Sequence, residues 1–255
     1  MAFLFSEIKS IGFPAFLKVY LRSFFAQGSF SGKYRQNLGF AYCIEPAGNR
    51  IWEEAEQKKN FYLRHLEYFN ANPFMFPLVL GAVIKMEERF RDDDGIREED
   101  IRRFKLAVGQ ATGSVGDRYF WRALRPFAIV LGLLSAYFWG LWGVTVFLAV
   151  FNIPIMYLKW RWLLTGYRLG PRVVIEIKNK GLESTVSIME ALGSIVLPFL
   201  TLIFLAHPPY RLSWVSAGVC LLFLFSVFLF HKRQPPSRVL VASAGVAVVL
   251  GMIVF

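Results

Sequence analysis

Apolar positions change their spacing along the chain near residue 127. Before it, short apolar stretches are interrupted every few residues by charged ones; from Phe127 onward apolar runs dominate and only Glu176, Glu183 and Glu190 are acidic. A helix needs about 20 mainly apolar residues to cross the hydrocarbon core of a bilayer. Ile188–Ala206 and Val215–Phe230, joined by HPPYRLSW, read as a helical hairpin, and Val239–Phe255 as a further, short span. The loop HKRQPPSR carries Lys232, Arg233 and Arg238 whereas HPPYRLSW has only Arg211. The positive-inside bias therefore puts the former in the cytoplasm and the latter, with the C-terminus, outside.

The run from Phe127 to Leu158 is too long for one ordinary span and too short for two. It has basic residues on both sides: Arg118, Arg122 and Arg125 before it, Lys159, Arg161, Arg168 and Arg172 after it. Keeping both flanks on one face predicts a hairpin turning near Phe138–Gly143; a single tilted helix is the competing arrangement. In the front half, Pro73–Ile84 is a broken apolar piece, either re-entrant or a buried helix. Lys85–Lys105 is highly charged and predicts a solvated helix–loop–helix. HLEYFNANPF (His65–Phe74) predicts a helix ending at the Asn-x-Asn-Pro turn. The first 25 residues lack a basic lead and carry Glu7 and Lys9, so an amphipathic helix at the membrane surface is expected rather than a signal peptide. The fold class expected is all-α: one polytopic membrane domain over 1–255. Amphipathic, re-entrant and cytoplasm-facing helices fill 1–126 and transmembrane helices fill 127–255.

Composition agrees. Hydrophobic residues make up 55% and charged residues 18% of the 255, with mean hydropathy +0.43, against about 45–50% apolar and 25% charged in soluble domains. The net charge of +11 does not imply nucleic acid, because the rear-half cations cluster at the ends of apolar runs. Cys43 and Cys220 have neither disulfide-framework nor metal-ligand spacing. His65, His207 and His231 are scattered, and there is no nucleophile elbow, His-Glu-x-x-His, phosphate-binding loop or Cys-x-x-Cys. Asp92–Asp94 lacks the pattern of a calcium loop. Neither catalysis by this chain alone nor a cofactor or metal is expected.

What stands out is a set of polar groups in apolar, turn-rich sequence: Gln27, Gln36, Asn70, Asn72, Glu87, Asp117 and Asn152. Amides and carboxylates suit sugar hydroxyls, and the many Phe, Tyr and Trp suit the C–H faces of a sugar ring. Taken singly, Asn70, Asn72 and Asp117 read equally as turn or capping residues, and Trp139, Trp142, Trp160 and Trp162 as interfacial anchors.

Ordered strings of residues carry a family resemblance. They are Arg22-Ser23 with Gln27, QNLGFAY (Gln36–Tyr42), HLEYFNANPF, Gly81 with Met86-Glu87-Glu88, Gly116-Asp117, Phe120-Trp121, Leu124-Arg125-Pro126, Phe151-Asn152 and Gly166–Gly170. In this order and spacing the chain resembles the enzyme IID membrane component of the mannose/fructose/sorbose family of the bacterial phosphotransferase system. The resemblance implies a non-catalytic subunit of the cytoplasmic membrane, paired with a IIC subunit, typically as a trimer of pairs. A hexose-type sugar crosses this unit while the soluble IIB phosphocarrier, charged by IIA, phosphorylates it. It also implies that Asn70, Asn72, Glu87 and Asp117, with Gln27 and Gln36, line or shape the sugar path; Arg118 and Arg122, close to Asp117 in sequence, are placed to neutralise it. Two departures stand against it. Gln110–Val115 replaces the family's Gly-Pro-Leu-Ala-Gly-Ile, and Arg118 replaces a small Ser; HPPYRLSW replaces a longer outer insertion. They leave open an alternative, a divergent member acting as a membrane docking platform for soluble phosphotransferase proteins.

Overall fold

A computed structural model describes residues 10–174 and 184–192, all within one compact unit. Among these residues every regular element is helical, and pairing of extended backbone is confined to isolated bridges at Ser31–Arg35 and Arg35–Phe69.

Helix α1 (Phe13–Arg22) starts after Gly12 at φ 80 with a proline in its first turn, a position that needs no backbone donor. It turns its Ala15, Phe16 and Val19 face inward and tightens into a 3-10 turn at Ser23–Phe25. Helix α2 (Asn37–Ile51) contains Pro46, which cannot bond back to the carbonyl of Tyr42. Arg22 supplies the missing donor, its Nη1 bonding that oxygen at 2.8 Å while pairing with Glu45. Gly39 lets α2 lie directly on the chain at Ala26, whose carbonyl a Cβ would meet at 1.9 Å.

The helix that the sequence pattern carries to the Asn-x-Asn-Pro turn at Asn70–Pro73 in fact stops earlier: α3 (Ala55–His65) ends at His65. The carbonyl of Leu66 accepts the Asn37 side chain at 2.7 Å, and Gln36 N–H donates to the carbonyl of Phe69 at 2.9 Å. These long-range bonds compete with helix continuation and leave 67–72 outside any helix.

Helix α4 (Phe76–Arg91) is buried continuously from Phe76 to Ile84 and again at Met86, Glu87 and Glu88. Of the two arrangements open for Pro73–Ile84, the buried helix is the one adopted. After a loop, α5 (Glu98–Gly116) runs without a break through a π-helical stretch (Asp117–Leu124) into α6 (Arg125–Trp139). Pro126 cannot donate to the carbonyl of Arg122 and sits at the step from π to α geometry, a usual cause of local widening. Gly140, at φ 56, ends α6, and α7 (Trp142–Leu169) returns along it. The turn thus falls where the hairpin is expected, and the single tilted helix is excluded. Trp139 and Trp142 are exposed at its tip.

At 28 residues, α7 is about 42 Å long at 1.5 Å per residue. Trp142–Arg172 is the one stretch among the described residues long and apolar enough to cross a membrane. It crosses α4 at two facing glycines. A Cβ on Gly81 would meet the carbonyl of Leu163 at 2.1 Å, and one on Gly166 that of Leu78 at 2.1 Å. The three C-terminal spans expected from the sequence lie outside the described residues, except that 188–192 belongs to a short helix over 184–192.

Candidate functional site

The turn between α3 and α4 is held as a rigid edge. Gln36, buried at the start of α2, uses its amide as a peptide mimic: Nε2 donates to the carbonyl of Ala71 at 3.0 Å and Oε1 accepts the Ala71 N–H at 3.0 Å. Both polar ends of a buried amide are thereby satisfied, and the backbone of the Asn-x-Asn-Pro turn is fixed.

Asn72 then reaches from this turn to the π-helical stretch. Its Oδ1 accepts the Phe74 N–H at 3.0 Å, and its Nδ2 donates to Asp117 Oδ1 at 2.8 Å. Gly116 makes the approach possible: a Cβ there would lie 2.4 Å from Asn72 Cγ. The Gly-Asp pair therefore has a division of labour, the glycine clearing space and the aspartate receiving the amide. Asp117 opens the π-helical stretch in the middle of a helical run, so it is not an N-cap, and its side chain is exposed beside a buried Asn72. Asn70 is exposed on the same turn.

Beside this edge lies a groove of about 850 Å³. Pro73 and Phe74 from the turn, Trp121 from the π-helical stretch, Phe24, Phe25 and Gln27 after α1, and Asn152, Ile155, Met156 and Lys159 from α7 line it. Gln27 and Asn152 are exposed, and Asn152 returns its amide to the carbonyl of Leu148 at 2.8 Å. The other lining side chains are mostly apolar or aromatic.

Glu87 sits elsewhere, 11 residues along α4 from Phe76, which is about 17 Å of helix. It is fully enclosed. Arg64 grips it with two bonds (Nε to Oε1, 2.7 Å; Nη2 to Oε2, 2.8 Å), Trp52 Nε1 donates at 3.0 Å, and His65 Nε2 lies 3.0 Å from Oε1. Arg64 also reaches Glu98 at 3.5 Å, and Lys105 donates to the Arg64 carbonyl at 2.7 Å. Burial alone would raise the Glu87 carboxyl, but the bonds from Arg64 and His65 hold it down to about 2. Burial, reinforced by nearby Lys105, lowers His65 to about 4, so it is neutral at pH 7 and donates from Nε2; its Nδ1 has no partner among the described residues. Burial likewise lowers Lys105 to about 8.

The fold thus brings together Gln36, Asn70, Asn72 and Asp117 along one edge, with Gln27 in the adjoining groove, and sets Glu87 apart in a closed ion cluster. Sequence reasoning anticipated arginines beside Asp117 but not the Asn72 amide, and missed the roles of Trp52, Arg64 and Lys105 altogether. Arg64 had one available signal: it directly precedes the histidine-led motif, four residues before Tyr68 on a helix otherwise rich in solvent-facing charge. Lys159 carried only the signal of a flanking cation.

Comparison with known proteins identifies the family. The profile of the "PTS system mannose/fructose/sorbose family IID component" matches residues 13–206. The mannose-specific EIID component of Escherichia coli K12 is 31% identical over 180 residues, 70% of this chain and 64% of that protein. The sorbose-specific EIID component of Klebsiella pneumoniae is 28% identical over 191 residues, 75% of this chain and 70% of that one. The fructose permease IID component of Bacillus subtilis is 26% identical over 179 residues, covering 70% and 65%. The match thus spans slightly less than two thirds of the Escherichia coli relative. A chain of the mannose transporter ManYZ, solved in complex with a microcin, superposes with TM-score 0.59 at 25% identity over 92% of this chain and 94% of that one. A structure described as a membrane protein superposes with TM-score 0.71 at 23% identity over 95% and 97%, a likeness of fold. With a family profile matched over residues 13–206, from α1 through the described helices, the chain belongs to the mannose/fructose/sorbose family of phosphotransferase-system IID components.

Proposed function

We propose that the chain is the IID membrane subunit of a sugar permease of this family, forming with a IIC subunit the path along which a hexose-type sugar moves. The phosphoryl group would come from a soluble IIB partner, and this chain would do no covalent chemistry. The supporting observation is the interlock of Asn72, Gly116 and Asp117 on the turn whose next residues, Pro73 and Phe74, line the aromatic groove. An exposed carboxylate is held by a buried amide, and the turn that carries the amide sends these two residues into the groove beside Trp121. Such an edge offers acceptors and donors for hydroxyls beside flat apolar faces for C–H groups. In this reading Asp117, Asn70 and Gln27 contact the path, Asn72 and Gln36 hold its edge, and Glu87 shapes it by anchoring the far half of α4. The α6–α7 hairpin and the apolar runs after residue 187 would embed the chain in the bacterial cytoplasmic membrane as a multi-pass protein.

The test is Asp117→Asn in membranes that also contain IIC and IIB. Asparagine can still accept from Asn72, so assembly is expected to stay normal while sugar uptake falls at least about tenfold, the cost of one charge-assisted bond lost from the path. Normal uptake at normal complex levels would remove Asp117 from the path.

A further inference from the structure

Lys159 is a buried cation in an apolar setting. It lies on α7 within the stretch suited to cross a membrane and is 4% exposed. Its Nζ donates to the carbonyl of Ser23 at 3.0 Å and sits 4.1 Å from the centre of the Phe24 ring. Among the described residues no carboxylate pairs with it. The other buried cations have carboxylates at hand: Arg64 pairs with Glu87 and Glu98, and Lys105, which like Lys159 bonds a backbone carbonyl, stands in the field of Glu67 and Glu87. A buried charge is ordinarily paired, and an ionisable group in a membrane-crossing helix marks a functional contact whose partner should be named.

The groove above Lys159 says what that partner is. Its volume, about 850 Å³, is at the upper end of ligand-sized cavities, about 300–1,000 Å³. Leu21, Phe24, Phe25, Trp121 and Met156 along it are each substantially exposed. The groove is also lined by Asn152, whose amide N–H goes to the Leu148 carbonyl while its Oδ1 is left for a donor. Acyl chains offer that oxygen no donor, whereas a side chain of a packed helix can bond it. We infer that this groove seats an apolar helix of a second membrane subunit, which delivers a carboxylate to Lys159. The inference rests on the permease reading above and names the wall that the partner completes: its helix covers the apolar floor, while the Asn72–Asp117 edge stays open to the sugar.

The experiment uses the full-length chain co-expressed with its IIC subunit, with a photo-crosslinking phenylalanine derivative placed at Met156 or at Phe25. Both positions are expected to yield covalent adducts with a IIC helix that carries Asp or Glu near the attachment point. Lys159→Arg should retain IIC on purification, and Lys159→Glu should lose it about tenfold or more, as for one partner of a buried charge pair. Changing the mapped IIC acid to Lys should restore IIC to the Lys159→Glu chain. Expressing each variant without IIC separates docking from folding: a docking defect leaves the amount of chain in the membrane unchanged. Adducts to phospholipid or within this chain would overturn the proposal, as would normal IIC recovery with Lys159→Glu. Loss of uptake by Lys159→Gln at full IIC recovery would also overturn it, assigning the lysine to the substrate. If even the unaltered chain retains no IIC, the permease reading falls, and this inference with it.

Discussion

Glu87 illustrates how much a single residue's neighbours decide. Its carboxylate receives two bonds from Arg64 and one from Trp52, with His65 beside it, all enclosed. Replacing one member of a buried pair leaves the other charge uncompensated, typically at about 3–5 kcal/mol. Glu87→Gln is therefore expected to lower the unfolding temperature strongly in purified membrane complex, with little specific effect on the affinity for sugar. The cluster also sets an acid limit. His65 titrates at about 4 in the folded chain and about 6.5 when unfolded. The unfolded chain takes up that proton first, so stability is full above pH 6.5 and declines as pH falls toward 4. Glu87, lowered to about 2 from 4.5, adds a loss in the same direction below pH 4.5. Unfolding temperatures measured from pH 8 to 4.5 should fall below about 6.5. His65→Gln, whose amide can still donate to Glu87, should move the onset down toward pH 4.5; a decline unchanged by that substitution would assign the acid limit elsewhere.

Among the helices, contact distance is set by glycine. At the crossing of α4 and α7, Gly81 and Gly166 each face the other helix's backbone, with a Cβ placed 2.1 Å from a carbonyl oxygen. Those atoms belong to backbone and cannot swing aside, so the helices must separate. Gly166→Ala should cost about 1–3 kcal/mol, the usual range for overpacking, and shift the groove wall that α7 supplies. Gly116→Ala should push Asn72 off Asp117. Gly113 is the contrast, one turn earlier on α5 with nothing within 4 Å of a Cβ. Gly113→Ala should be neutral or stabilising by about 0.5–1 kcal/mol through helix propensity. Equal destabilisation at positions 113 and 166 would show that close packing is not what these glycines provide.

For the whole molecule, the distribution of charge predicts orientation. The three cations of HKRQPPSR against the single one of HPPYRLSW place the first loop inside and the second outside. Cysteine introduced by Ser213→Cys should react with a membrane-impermeant reagent added to intact cells, and one introduced by Ser237→Cys should not. The opposite pattern would invert this orientation.

The sequence by itself determined the helical class and the family, and pointed to a hairpin near Phe138–Gly143 with a tilted helix as its rival, because these follow from local signals: apolar run length, charge at the run ends and ordered motifs. It also singled out Gln36, Asn72, Gly116 and Asp117 as residues of interest. Tertiary structure alone decided that Gln36 clasps the peptide of Ala71, that Asn72 bonds Asp117 across the space Gly116 leaves, and that Glu87 stands apart with Arg64 and His65. Each of these contacts joins residues more than 20 positions apart, and no periodicity or composition records which distant polar group will meet which. The early end of α3 has the same cause. Bonds from Gln36 and Asn37 capture the backbone of 66–69 and override a local pattern that favours continuing the helix. Lys159 is the plainest case: along the chain it is one flanking cation among several, and only the packing of α7 against Ser23 and Phe24 encloses it with no carboxylate among the described residues paired to it.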